Sequence, residues 1–147
     1  MRTYMDKKGC LKSQWFVTDA SKEVLGRMSA GIARILIGKN RPGFTPHVMP
    51  DNHVIVLNAS KVIFTGKKLQ QKLFVHHTPY PGGLRTQKLS DLMVERPAEV
   101  VRRAVRRMLP KTRLGYRMIT NLHVYPGDSH RHSAQNPKPV SFTTAKS

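Results

Sequence analysis

Apolar residues recur at helical spacing between residues 24 and 37. Val24, Leu25, Met28, Ile32, Ile35 and Leu36 fall on one side, with Arg27 and Arg34 together on the other. This pattern predicts an amphipathic helix. Ser21 is its expected N-cap, and Glu23 is placed to favour the positive helix end. Gly38 is a stop signal, and Lys39-Asn40-Arg41-Pro42-Gly43 reads as a loop. Residues 15–20 (WFVTDA) are rich in strand formers, and Val54-Ile55-Val56-Leu57 is a short continuous apolar run. Such a run marks a strand buried on both faces. Strand, helix and buried strand in this order predict a right-handed βαβ unit with parallel pairing.

Beyond it the pattern is choppier. Val62-Ile63-Phe64 is a second short apolar run, Thr65-Gly66-Lys67-Lys68 turns the chain, and residues 69–77 read as a further strand. Two prolines and two glycines in residues 78–83 exclude regular structure there. Residues 89–95 form a short predicted helix, redirected by Arg96-Pro97. Pro97 suits the first position of the next helix, in which Val100, Val101, Ala104, Val105, Met108 and Leu109 share half of the wheel. Arg102, Arg103, Arg106 and Arg107 occupy the other half, and Pro110 ends the helix. Residues 114–122 read as one more helix and residues 122–125 as a last strand. Without repeats or a long linker, the expected organisation is an N-terminal arm at 1–14, one domain at 15–125 and a tail at 126–147. That tail is expected to be extended and ordered mainly by a partner.

Charge changes the picture more than size does. The 147 residues carry 26 Lys+Arg against 8 Asp+Glu, a formal charge of +18, while 39% of residues are hydrophobic. The chain therefore has the means to build a core and is not a disordered polycation. No run of about 18 apolar residues exists to span a bilayer. The N-terminal sequence MRTYMDKKGCLKSQW has no secretory character, and the lone Cys10 cannot form an internal disulfide. Nucleic acid is the partner best suited to such a charge, because binding releases its counterions. An anionic membrane is the rival, but it calls for a concentrated basic amphipathic helix or a lipid anchor.

The sharpest feature is residues 96–117, where Arg96, Arg102, Arg103, Arg106, Arg107, Lys111, Arg113 and Arg117 are opposed by Glu99 alone. An ordinary solvated face interleaves both signs. Here Arg102/Arg106 and Arg103/Arg107 are like-charge pairs at i,i+4, which cost a few tenths of a kcal/mol each in the free protein. A polyanion turns that cost into binding, and the planar guanidinium suits phosphate. A second candidate is the Gly66 turn with Lys67, Lys68, Lys72, His76 and His77. It suits either a close phosphate approach or a plain turn with exposed lysines. His130-Arg131-His132, preceded by Asp128, resembles a metal-ligand set, but the intervening arginine and local cations oppose a divalent ion. Hydrogen bonding to backbone or RNA is the expected use of these histidines, and no metal or other cofactor is expected. Gly26 to Gly31 lacks the Lys-Ser/Thr of a phosphate loop and lies within the predicted helix. With so few carboxylates, two-metal or paired-carboxylate catalysis would be hard to assemble, so no enzyme and no small-molecule substrate are expected. Trp15, the tyrosines and the phenylalanines are expected in the core or at its edge rather than as stacking platforms.

An ordered set of short motifs resembles the bacterial-type large-subunit ribosomal protein thirteen family. The N-terminal half supplies Asp19-Ala20, Leu25-Gly26-Arg27, Phe44-Thr45-Pro46-His47, Val54-Ile55-Val56-Leu57-Asn58-Ala59, Lys61-Val62 and Thr65-Gly66-Lys67-Lys68. His77-Thr78 and Gly82-Gly83-Leu84-Arg85 follow, then Val105-Arg106-Arg107-Met108-Leu109-Pro110-Lys111, Leu114-Gly115 and His123-Val124-Tyr125. His132, Ala134, Gln135 and Pro137 match the family's tail. Residues 49–53 depart from its usual acidic, glycine-containing turn, and Pro79 stands in place of a common glycine. Arg107 and Tyr116 are also unusual for the family. The resemblance implies a three-layer α/β/α fold with a small, mainly parallel sheet. It implies a non-catalytic protein that binds large-subunit rRNA, supports subunit assembly and touches neighbouring ribosomal proteins. The expected RNA contacts are Lys67, Lys68, His76, His77, Arg85, Arg102, Arg103, Arg106, Arg107, Lys111, Arg113, Arg117, His130, Arg131 and His132. A ribosome in a bacterial cytoplasm is the expected location, ahead of a processed organellar form.

Overall fold

A computed structural model describes Met5, Lys7 and residues 12–142. Cys10 and most of the N-terminal arm lie outside the described residues. The first strand, β1 (Gln14–Asp19), leads into helix α1 (Leu25–Ile37), and the chain returns in β2 (Asn52–Leu57). β2 lies parallel to β1, with Trp15 opposite His53 and Val17 opposite Ile55. The predicted βαβ unit is therefore present. Gly38 ends α1 at φ +87, in the left-handed region that a side chain disfavours. Its N–H donates to the Ile35 carbonyl at 3.0 Å, and the Lys39 N–H donates to that of Arg34 at 3.0 Å.

The start of α1 differs from expectation. Ser21 is not its N-cap; the cap is Val24, with no side-chain hydrogen bond. Asp19 caps a separate 3-10 turn (Ala20–Lys22) and accepts from the Ser21 N–H at 3.0 Å and the Ser21 hydroxyl at 2.8 Å. The Asn58 side-chain amide also donates to Asp19 at 3.0 Å, and chiefly this bond holds the Asp19 carboxyl below its ordinary range. The run 62–64 is a single parallel bridge, Ile63 to Val24, rather than a strand.

The remaining elements are α2 (Lys68–Gln71), β3 (Leu73–His77), β4 (Leu84–Lys88), α3 (Leu89–Glu95), α4 (Pro97–Met108), α5 (Arg113–Met118), β5 (Leu122–Val124) and β6 (Lys138–Pro139). The main sheet has the order β5-β2-β1-β6 with every pairing parallel. β3 and β4 form a separate antiparallel hairpin. The α/β class and the mainly parallel sheet are as expected. One core joins Met28, Ile32 and Leu36 of α1 to Val54 and Val56 of β2, Leu92 of α3, Val101 and Val105 of α4, and Leu122 of β5. The opposite face of the sheet carries Trp15, His53, Ile55 and His123, by the alternation of strand side chains. The return segment after β5 covers it, through His132.

Residues 126–142 are irregular rather than extended throughout, with a 3-10 turn at Ser133–Gln135 before β6, and their own chain orders them. Pro139 pairs with Val17, the Val140 N–H donates to the Val17 carbonyl at 2.8 Å, and the Phe142 N–H donates to the Glu23 carboxylate. The Phe142 ring lies against Gly31 so closely that a Cβ there would collide with it. Glu23, expected to serve the helix end, is buried and anchors this segment instead.

Candidate nucleic-acid interface

Helix α4 builds the centre of the site. Its apolar stripe of Val100, Val101 and Val105 is fully buried, which fixes the rotation of the helix and turns Arg102, Arg106 and Arg107 into solvent. Arg103 is half-buried and ion-paired with Glu99, one helical turn earlier, at 2.6 Å. Pro97 occupies the first turn, as expected.

The β3–β4 hairpin leans on this helix through Phe74, its only buried strand residue. Three cations lie over the Phe74 ring: Lys72 at 5.4 Å, Arg103 at 5.4 Å and Arg107 at 5.6 Å. An aromatic face attracts each of them by about 0.5–1 kcal/mol. The ring thereby eases crowding between cations that would otherwise repel. Helix α5 closes the other side. Thr112 caps it by accepting from the Gly115 N–H at 3.3 Å. Gly115 sits against the Pro110 carbonyl with no room for a Cβ, so the turn between α4 and α5 is tight.

Together α4, α5 and the hairpin enclose an open groove of about 740 Å³. Of the predicted contacts, His76, Arg102, Arg103, Arg106, Arg107 and Lys111 line it. Glu99 is the only carboxylate in its lining, and it is already engaged by Arg103. Arg85 is paired in register with His76 on the hairpin and is exposed. Arg113 and Arg117 are exposed on α5 outside the lining. Lys67, Lys68 and His77 are exposed at a separate turn and strand end. Gly66 there has φ +60, and the Lys68 ammonium donates to the Thr65 hydroxyl at 2.8 Å.

The C-terminal histidines sit elsewhere. His130 Nδ1 accepts from the His132 N–H at 3.2 Å, and Arg131 is exposed. The His132 ring is 4.6 Å from that of His123 and 5.0 Å from Trp15. Trp15 stacks on His53 at 4.1 Å, so the rings form one continuous stack on the sheet. Burial lowers the pKa of His123 below the usual histidine range; His132, His53 and Arg102 add to the effect. Among the described residues, no group of three or more His, Cys, Asp or Glu is placed to hold a metal ion. The stack went unrecognised in the sequence because its members are far apart in the chain. The one available signal was their common parity once the strands are set in register.

Tyr116 was also missed. Expected in the core or at its edge, it lines the groove with 55% of its surface exposed, and the Arg106 guanidinium lies 5.3 Å from its ring centre. The signal available was its departure from the family pattern inside the most basic stretch of the chain.

An α/β body with a groove between α4, α5 and the hairpin, whose cations come from α4 and the turn after it, is suited to a polyanion. Residues 13–131 match the family described as Ribosomal protein L13. The large ribosomal subunit protein uL13 of Alkaliphilus oremlandii is 51% identical over 142 residues, covering 97% of this chain and 99% of the relative. That of Thermobifida fusca is 49% identical over 146 residues, covering 99% and 98%. That of Syntrophus aciditrophicus is 47% identical over 138 residues, covering 94% and 97%. The chain belongs to the ribosomal protein L13 family.

Proposed function

We propose that this chain is a structural, non-catalytic constituent of the large ribosomal subunit that binds large-subunit rRNA and supports assembly of the subunit. Its other partners are neighbouring large-subunit proteins, and its place is the ribosome in the bacterial cytoplasm. The observation that carries the RNA reading is the groove: six predicted contacts, from β3, α4 and the turn before α5, converge there, against one engaged carboxylate.

The buried α/β core acts as a frame that fixes several basic surfaces relative to one another. The groove, the Gly66 turn with Lys67, Lys68 and His77, and the exposed side chains of Arg85, Arg113 and Arg117 grip phosphates of different RNA segments. One body that clamps several segments lowers the free energy of the folded RNA relative to the open one. Discrimination then comes from RNA shape and unpaired bases rather than from a duplex groove. Residues 1–14 and 126–147 flank the body at 15–125. Within the second flank, His130 and Arg131 remain available to RNA at the edge of the return segment, whereas His132 serves mainly the aromatic stack.

Equilibrium binding to a structured fragment of large-subunit rRNA, with a DNA duplex of equal charge as control, tests the reading. Tighter binding to the RNA at every ionic strength is expected. Equal affinity for both would reduce the chain to a general polycation and contradict it.

A further inference from the structure

We propose that the groove between α4, α5 and the hairpin holds a single unpaired nucleotide of the RNA, its base stacked on Tyr116 and its phosphates on Arg102, Arg106 and Lys111. This rests on the reading of the groove as an RNA site and adds what enters it.

A helical residue with no packing role is normally polar, yet Tyr116 lines the groove with more than half of its surface exposed. The helix that carries the ring is held in place. Gly115 is locked against the Pro110 carbonyl, Thr112 caps the helix, and Met118 is buried in the core. Arg106 lies over the ring, its guanidinium carbon 5.3 Å from the centre, so ring and planar cation form one layered pair that a base can extend. That pair is the platform on which unstacked bases are held, since every base has a π-face and every nucleotide a phosphate. The groove lining also includes the apolar residues Val75, Leu109, Pro110 and Ile119. A surface meant only for phosphates would have no need of them.

At about 740 Å³ the open groove has room for one nucleotide while the rest of the RNA stays outside. Tyr80 provides the contrast. It is more exposed than Tyr116, but it lies in the hairpin loop, and among the described residues no cation lies over its ring.

The test uses the full chain and two short RNA hairpins, one with a single bulged nucleotide and one fully paired. Wild-type protein should prefer the bulged hairpin. Tyr116→Ala should lose roughly 5- to 160-fold in affinity for it, the range set by base–aromatic stacking, while the paired hairpin and the salt slope stay unchanged. Tyr116→Phe should restore the preference. Equal binding of both hairpins by wild type, or equal loss on both by Tyr116→Ala, overturns the nucleotide slot while leaving phosphate binding intact. Unchanged RNA affinities with weaker uptake into large subunits would assign the groove to a protein segment, which also overturns it. Salt-independent binding of both hairpins would instead refute the underlying RNA reading.

Discussion

Replacing Arg102, Arg106 and Arg107 together by Gln should flatten the salt dependence of RNA binding without unfolding the protein. All three side chains are exposed, and among the described residues none has a carboxylate partner. Each is therefore free to neutralise a phosphate. The slope of log K against log salt is about −0.7 per phosphate on single strands and −0.9 on duplex. Three lost contacts flatten it by roughly 2 to 3. Between 50 and 200 mM salt, that amounts to a loss of salt sensitivity of about 20- to 40-fold in K. Arg103→Gln alone should change the slope by less than a full contact, because Glu99 at 2.6 Å already compensates Arg103. The free triple variant should melt close to wild type. It loses like-charge repulsion along α4 at the cost of the contacts of Arg106 with Tyr116 and Arg107 with Phe74. Fluorescence anisotropy on a structured rRNA fragment at several salt concentrations gives the slope, and thermal melting gives the stability. An unchanged slope in a folded triple variant would remove the α4 face from the interface.

Leu36→Ala removes a side chain that is 1% exposed in the core, and should cost about 2–5 kcal/mol in urea unfolding. Gly115→Ala drives a methyl group into the Pro110 carbonyl and should cost about 1–3 kcal/mol, with weaker RNA binding as the α4–α5 turn opens. Truncation after Asn136 removes β6 and the N–H that Phe142 gives to Glu23. It should lower the melting temperature and raise aggregation through the bared β1 edge, both visible by scattering-monitored melting. His123 has a lowered pKa in the fold, so the unfolded chain takes up its proton first. Its contribution to stability is intact above about pH 6.5 and lost as pH falls through the folded value. Urea titrations between pH 5 and 7.5 should show that loss reduced in His123→Gln, and an equal loss in both proteins would contradict it.

The βαβ unit and α4 were legible because long apolar periods dictate both element type and buried face. β4 was not. Its sequence, LRTQK, has one apolar residue, and four of its five residues are exposed, so it is held by pairing with β3 and leaves no hydrophobic trace. The strand expected at 69–77 loses its first residues to α2, a single turn with no buried residue. The helix expected at 114–122 spans only Arg113–Met118, then tightens into a 3-10 turn. At Ser21, local chemistry favoured the neighbour: Asp19 already accepts two bonds from Ser21 and one from Asn58. Docking of the tail was hidden because Pro139 and Lys138 read as loop, whereas an edge position needs only a two-residue pairing. Within the site, the arginine pattern of α4 pointed to the groove. Tyr116 and His76 joined it only through tertiary packing of elements distant in sequence, which also set Phe74 under the cations of α4.

Photo-crosslinking in purified large subunits tests the central claim most directly. A crosslinker at position 106 or 111 should yield adducts to a small set of rRNA nucleotides, in chains that sediment with the large subunit and leave it only at high salt. Adducts confined to protein at both positions, or a chain found free at the top of the gradient at low salt, would contradict the account.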